Sequence, residues 1–199
     1  MERTSVQRLA RVLRVLVIVI LVCNILALFA VPMLAVAQWT SAGGGAVEWG
    51  LTALEALLDP ETRSESSVWL GYLFMFSWPA VFESVYTAVL TLFLWTCGIC
   101  TAVILWQGKR VLDTILAGEP FSMKNAANLK RAAVCCFVIS GASLARVIWG
   151  LVYYASIRSL LTYNALFVPV FLVGGLLFLV MSALFRQAAE LKAENDLTI

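Results

Sequence analysis

The sequence predicts an all-α integral membrane protein: a four-helix bundle with an outer interfacial helical segment and a cytoplasmic extension of its last helix. Three observations predict it. Four apolar segments, residues 9–37, 84–106, 132–157 and 165–185, are each long enough to cross the ~30 Å hydrocarbon core of a bilayer as a helix. Hydrophobic residues make up 62% of the 199 and charged residues 13%, which leaves little chain for a separate soluble domain. The charges also fall in blocks that alternate between the two sides of such a bundle. One structural unit, residues 1–199, is the expected organisation.

The first span follows a basic start, in which Arg3, Arg8, Arg11 and Arg14 stand against Glu2. A cleaved secretory signal is the competing reading, because Ala35, Val36 and Ala37 before Gln38 fit a small-residue cleavage site. The uncharged stretch 15–37 is 23 residues, longer than the usual ~7–15 of a signal core, so a retained span is expected.

The outer region, 38–83, is acidic in its first part: over 38–66, Glu48, Glu55, Asp59, Glu61 and Glu65 outnumber Arg63. After a flexible break at Gly43, Gly44 and Gly45, the spacing of Val47, Leu51, Leu54 and Leu58 predicts a short amphipathic helix ending at Asp59-Pro60. Residues 68–82 carry Trp69, Tyr72, Phe74, Phe76 and Trp78, an aromatic load suited to the headgroup layer, and predict an interfacial helix that turns at Trp78-Pro79 into the second span. A fifth crossing is the alternative reading of this stretch, but it is short for one.

The connection 107–131 is basic, with Lys109, Arg110, Lys124, Lys130 and Arg131 against Asp113 and Glu119. Because Lys and Arg are retained inside, the N-terminus, this loop, and the C-terminal tail 186–199 are expected in the cytoplasm, and region 38–83 outside. Within the loop, Gly118 is placed to end a helix in the left-handed conformation and Pro120 prevents its continuation. Ser122 can cap a new helix feeding the third span, with Phe121 as an anchor that folds the loop against the bundle. The fourth span should continue as a helix beyond the membrane, where Arg186–Glu190 and Lys192–Asp196 are four apart and can pair.

Polar groups within the spans are few. Arg146 is the charge well inside the third span, with Glu83 as its expected partner, and Asn24 can hydrogen-bond between helices. A substrate or ion site competes here with a structural pair or a snorkelling arginine. Ser140, Gly141, Ala142 and Ser143, with Gly174 and Gly175, permit close helix approach and self-association through small-residue faces. Cys97 and Cys100 have CxxC spacing and Cys135-Cys136 lie in another span, but in apolar helices and a chain without histidine they read as small hydrophobes. No catalytic, cofactor-binding or metal set is assigned, and an enzyme is not expected. With a net charge of +2, the chain lacks the basic patch that direct nucleic-acid binding needs.

The pattern G-x-P-F-x-x-x-N-x-x-x-L-K, from Gly118 to Lys130, and the ending F-R-x-x-A-E-L-K-x-E-N-D-L-T-I, from Phe185 to Ile199, resemble a bacterial family of four-span membrane proteins, the domain of unknown function DUF2975. The resemblance covers nearly the whole chain and implies a multi-pass protein of the bacterial cytoplasmic membrane. Members are often encoded beside a small helix-turn-helix regulator, which implies a membrane partner that captures or modulates a transcription factor. On that expectation Gly118, Pro120, Phe121, Asn125, Leu129, Arg186, Glu190, Leu191, Glu194 and Asp196 form a cytoplasmic docking surface. The plainer expectation is that these residues bind one another and clamp the loop to the fourth span. Two other classes stand beside these: a small-molecule transporter or efflux component centred on Arg146 and Glu83, and a sensor of envelope or lipid state reading the outer leaflet through segment 69–78.

Overall fold

The computed structural model describes residues 2–40, 63–82, 84–119, 121–154 and 162–196. These form five helices and, among the described residues, no strand: α1 (Glu2–Thr40), α2 (Arg63–Ala80), α3 (Val85–Leu116), α4 (Met123–Tyr154) and α5 (Tyr163–Asp196). The amphipathic helix expected at 47–58 lies outside the described residues.

Four helices are long and apolar enough to cross a membrane, within Arg8–Met33, Val85–Leu116, Met123–Tyr153 and Tyr163–Asn195, and α2 is not among them. The chain is an all-α, multi-pass membrane protein. Large apolar side chains that a soluble protein would bury are open on every one of these helices, from Leu26 and Phe29 to Val152, Leu177 and Val180. Lipid satisfies such faces, because helices close their own backbone hydrogen bonds and leave the side chains free to meet hydrocarbon.

The helices outrun the apolar segments from which they are inferred. α3 continues ten residues past Trp106, α4 begins nine before Ala132, and α5 runs on to Asp196. At 1.5 Å per residue the 34 residues of α5 span ~51 Å, well beyond the ~30 Å hydrocarbon core. Pro169 is the seventh residue of α5, beyond the first turn, so the Ala165 carbonyl lacks the intrahelical donor it would otherwise have.

Two compact units divide the chain. One comprises Met1–Ile25 with Thr96–Ile199, the other Leu26–Trp95. In the first, α4 presents a buried stripe that mixes polar and apolar residues: Asn125, Asn128, Ala132, Cys136, Ile139, Ser143 and Val147, at helical three-and-four spacing. α5 packs closely on α4. Ser140 donates to the Val168 carbonyl at 2.9 Å and Ser182 to the Ala126 carbonyl at 2.7 Å. Gly175 lies against the Phe137 ring, so near that an added Cβ would fall 2.9 Å from a ring carbon. The close approach expected of the small residues is therefore made at Gly175, whereas Gly141 and Gly174 face open space.

In the second unit, α2 differs from its expectation. It starts at Arg63 instead of residue 68 and passes through Pro79 before turning at Val81 and Phe82. Pro79 stands in the last turn, one residue before α2 ends at Ala80, and its missing amide withdraws the intrahelical donor from the Met75 carbonyl. The turn is held by Val81 N–H to the Ser77 carbonyl and Phe82 N–H to the Pro79 carbonyl, both 3.1 Å. Trp78 meets Phe74 edge-on at 6.5 Å and Trp95 at 5.8 Å, and the Trp95 indole donates to the Leu28 carbonyl at 3.3 Å. Ser84 opens α3 by accepting the Tyr86 amide at 3.2 Å.

Candidate functional site

The first unit gathers the residues singled out in the sequence around the α3–α4 connection. α3 ends on Gly118 at φ +85°, a conformation that costs an L-residue with a side chain roughly 1–2 kcal/mol. Gly118 N–H bonds the Ile115 carbonyl at 3.1 Å and Glu119 N–H the Thr114 carbonyl at 3.0 Å. That pair of reverse bonds is a Schellman cap, which satisfies carbonyls the helix end would leave open. Three residues later Ser122 caps α4, its hydroxyl accepting the Asn125 amide at 3.3 Å. Both helix boundaries are therefore set locally, by Gly118 and Ser122.

Asn125 ties the two helices together. Its side-chain amide donates to the Thr114 hydroxyl at 2.6 Å, and that hydroxyl lies 2.7 Å from the Val111 carbonyl. The residue is fully enclosed, at 0% exposure, so it is part of the internal fastening and absent from any exposed docking face. Phe121 also fastens the connection, though it stays 51% exposed. Its ring centroid lies 5.7 Å from that of Phe185, at an interplanar angle of 50°, which fixes the connection to α5. Leu129 is half-buried among α1, α3 and α5, lining a small cavity.

The far end of α5 is different. Arg186 Nε pairs with Glu190 at 2.8 Å as the four-residue spacing predicts, on an exposed face. Leu191 is 61% exposed and Glu194 is exposed. Pro120 and the side chain of Asp196 lie outside the described residues.

One ionic group was not anticipated as a group. Asp113 on α3 receives Arg14 of α1 at 2.8 Å and Lys109, one turn earlier on α3, at 3.5 Å. Lys109 and Arg110 also lie over the Trp106 ring, at 5.1 and 5.8 Å. Arg14 and Asp113 are 99 positions apart, and nothing local in the sequence pairs them.

The polar groups expected within the spans are placed less decisively. Arg146 is half-buried on α4, one turn from the enclosed Ser143. Glu83, its expected partner, is outside the described residues. The Asn24 Oδ1 is shielded from solvent and has no hydrogen-bond partner among the described residues. All five cysteines are free thiols.

A family model described as a protein of unknown function, DUF2975, matches residues 60–199. The chain belongs to the DUF2975 family. The DUF2975 match takes in α2 to α5, and with them both motifs that meet in the Phe121–Phe185 contact; α1 precedes it. No curated protein and no solved structure is significantly similar to this DUF2975 protein.

Proposed function

We propose that this DUF2975 protein is a membrane-embedded regulatory partner of a small helix-turn-helix transcription factor, with the projecting end of α5 as its docking helix. The observation that carries this reading is the continuity of α5. The helix passes from its apolar segment into a charged stretch without a break, and there holds Leu191, 61% exposed, beside Glu190 and Lys192. An apolar residue flanked by charges on a projecting helix suits binding of a partner helix, with Leu191 as the anchor. The distribution of Lys and Arg supports a cytoplasmic position for that end, where a transcription factor would be met. The partner class itself comes from the family resemblance.

Phe121, Asn125 and Leu129 serve this reading indirectly, by holding the α3–α4 connection against α5. The docking residues reduce to those beyond Phe185.

Mild-detergent affinity purification of the tagged protein from its native host, with mass spectrometry of the bound material, tests the proposal. A small helix-turn-helix protein should co-purify and be lost on Leu191→Asp or Glu190→Lys at unchanged yield of folded protein. Its absence from the wild-type preparation, or its retention by both variants, overturns the docking assignment.

A further inference from the structure

Where α2 turns into α3, the second unit holds a partly open pocket of about 300 Å³. Its long wall is one face of α3, made by Ala88, Val89, Thr91, Leu92 and Trp95, and Pro32 of α1, Trp78 of α2 and Phe82 of the turn complete it. From Ala88 to Trp95 is two helical turns, so this wall runs ~10 Å along the helix axis. The walls are almost wholly carbon. The Thr91 hydroxyl donates to the Thr87 carbonyl at 2.7 Å, which withdraws it from the space. The Trp95 indole is committed as well, for a reason that lies in α1. Pro32 has no amide, so the Leu28 carbonyl one turn earlier lacks its intrahelical donor. Trp95 supplies that hydrogen bond from α3 at 3.3 Å, the kind of cross-helix repair that lets a span carry a proline. The bond holds the Trp95 ring in the wall, and Trp78 lies against it with centroids 5.8 Å apart.

Such a surface offers nothing to water, an ion or a headgroup, each of which would forfeit hydrogen bonds there. Hydrocarbon is the matching occupant. The rim selects its source. Phe82 is 82% exposed and Leu92 69% exposed, so the open side is continuous with the apolar outer surface of α3, a helix long and apolar enough to cross a membrane. Acyl chains are the hydrocarbon in excess around such a surface, and spanning helices stand within some tens of degrees of the bilayer normal, so the α3 wall follows the direction of the chains. Because lipid is as apolar as these walls, hydrophobic transfer contributes little. The gain is contact, which a void would deny to every atom of the lining. A volume about twice the ~150 Å³ that admits one benzene suits a segment of one chain and excludes a whole lipid.

We propose that this pocket binds one acyl chain of a membrane phospholipid, seated along α3 between Trp95 and the α2–α3 turn. The Trp95–Leu28 hydrogen bond, made necessary by Pro32, fixes one wall of the site. The site is independent of the docking reading, because it shares no residue with the end of α5 and its occupancy can be measured with no protein partner present.

Tryptophan fluorescence tests it, since bromine on a lipid chain quenches an indole that it touches. Replacing Trp39, Trp49, Trp69, Trp106 and Trp149 by Phe in the full chain leaves Trp78 and Trp95, both in the pocket wall, as the emitters. In vesicles of dioleoylphosphatidylcholine brominated at its double bonds, their emission should fall well below that in the unbrominated lipid. Ala88→Phe fills the space and should remove most of that quenching, with Val89→Phe as the filling variant if Ala88→Phe fails to fold. A chain keeping Trp149 alone, 38% exposed on α4, reports ordinary lipid contact and should be quenched alike with and without Ala88→Phe. Native mass spectrometry of the chain with all its tryptophans gives a second reading: wild type should keep one phospholipid that Ala88→Phe loses. Equal quenching of Trp78 and Trp95 in open and filled pockets would overturn the proposal, because lipid on the outer surface would then account for it. No quenching in the open pocket, a change at Trp149 equal to that at Trp78 and Trp95, or equal lipid retention by wild type and Ala88→Phe would overturn it too.

Discussion

Phe121 and Phe185 hold their ring centroids 5.7 Å apart, joining the short α3–α4 connection to the end of the apolar part of α5. Both motifs by which the sequence resembles its family contribute one ring each. A tilted aromatic pair at this distance contributes about 0.5–1.5 kcal/mol beyond the apolar area it covers. A double-mutant cycle with Phe121→Leu and Phe185→Leu, read from unfolding in mixed micelles of rising denaturing-detergent content, should return a coupling in that range. Additive single effects would mean that the rings merely lie near each other.

Gly118→Ala should destabilise the protein by about 1–2 kcal/mol through backbone strain alone, because φ is +85° and an added Cβ meets nothing within 4 Å. Gly118→Asn should cost less, since asparagine visits the left-handed region more readily. The same unfolding measurement checks both, and equal stability of the alanine variant would show that the turn can rearrange.

Adjacent glycines in α5 should respond in opposite directions. Gly175→Ala drives a methyl onto the Phe137 ring at 2.9 Å and should cost about 1–3 kcal/mol, the range for overpacking. Gly174→Ala meets open space and should be neutral or stabilise the helix by up to about 1 kcal/mol. Melting temperatures of the two variants in one detergent give the comparison directly.

The Arg14–Asp113–Lys109 group is partly open to solvent, with side-chain exposures of 42%, 34% and 25%. Solvent screening keeps the contribution of such pairs small, so Asp113→Asn should cost less than about 1 kcal/mol. Salt should narrow the gap between Asp113→Asn and wild type, because screening weakens the pair in the wild type only. Thermal melts at low and high salt test this, and a salt-independent loss would assign Asp113 a role in packing.

What the sequence discloses is the chemistry that acts over a few residues. Gly118 before a proline, Ser122 three residues ahead of Asn125 and the four-residue spacing of Arg186 and Glu190 each specify a local bond, and each bond forms. The spans are equally legible, because lipid imposes a length and a polarity on them. Pairings across the chain are not. Arg14 looks like any residue of a basic N-terminus until α1 brings it to Asp113, and Gln107 looks like the polar border of a span until α4 encloses it. Asn125 was legible as part of a motif but not as an interior residue, since a polar side chain near a helix start reads as solvated. In α2 the proline signal is displaced only slightly: the turn expected at Trp78-Pro79 falls at Val81 and Phe82, because the helix runs through Pro79 to Ala80 before it ends.

The ordering of bonds around the α3–α4 connection has a consequence for biosynthesis. The Schellman cap, the serine cap and the Thr114–Asn125 bond lie within a short stretch of chain and can close as soon as that stretch leaves the ribosome. Phe185 is translated sixty-four residues after Phe121, a delay of roughly 3–13 s at about 5–20 residues per second. For that interval the hairpin of α3 and α4 must hold its own geometry while one exposed phenyl ring waits. Until then the connection rests on its two caps and the Thr114–Asn125 bond, and Phe121, 51% exposed even in the finished fold, lacks its partner.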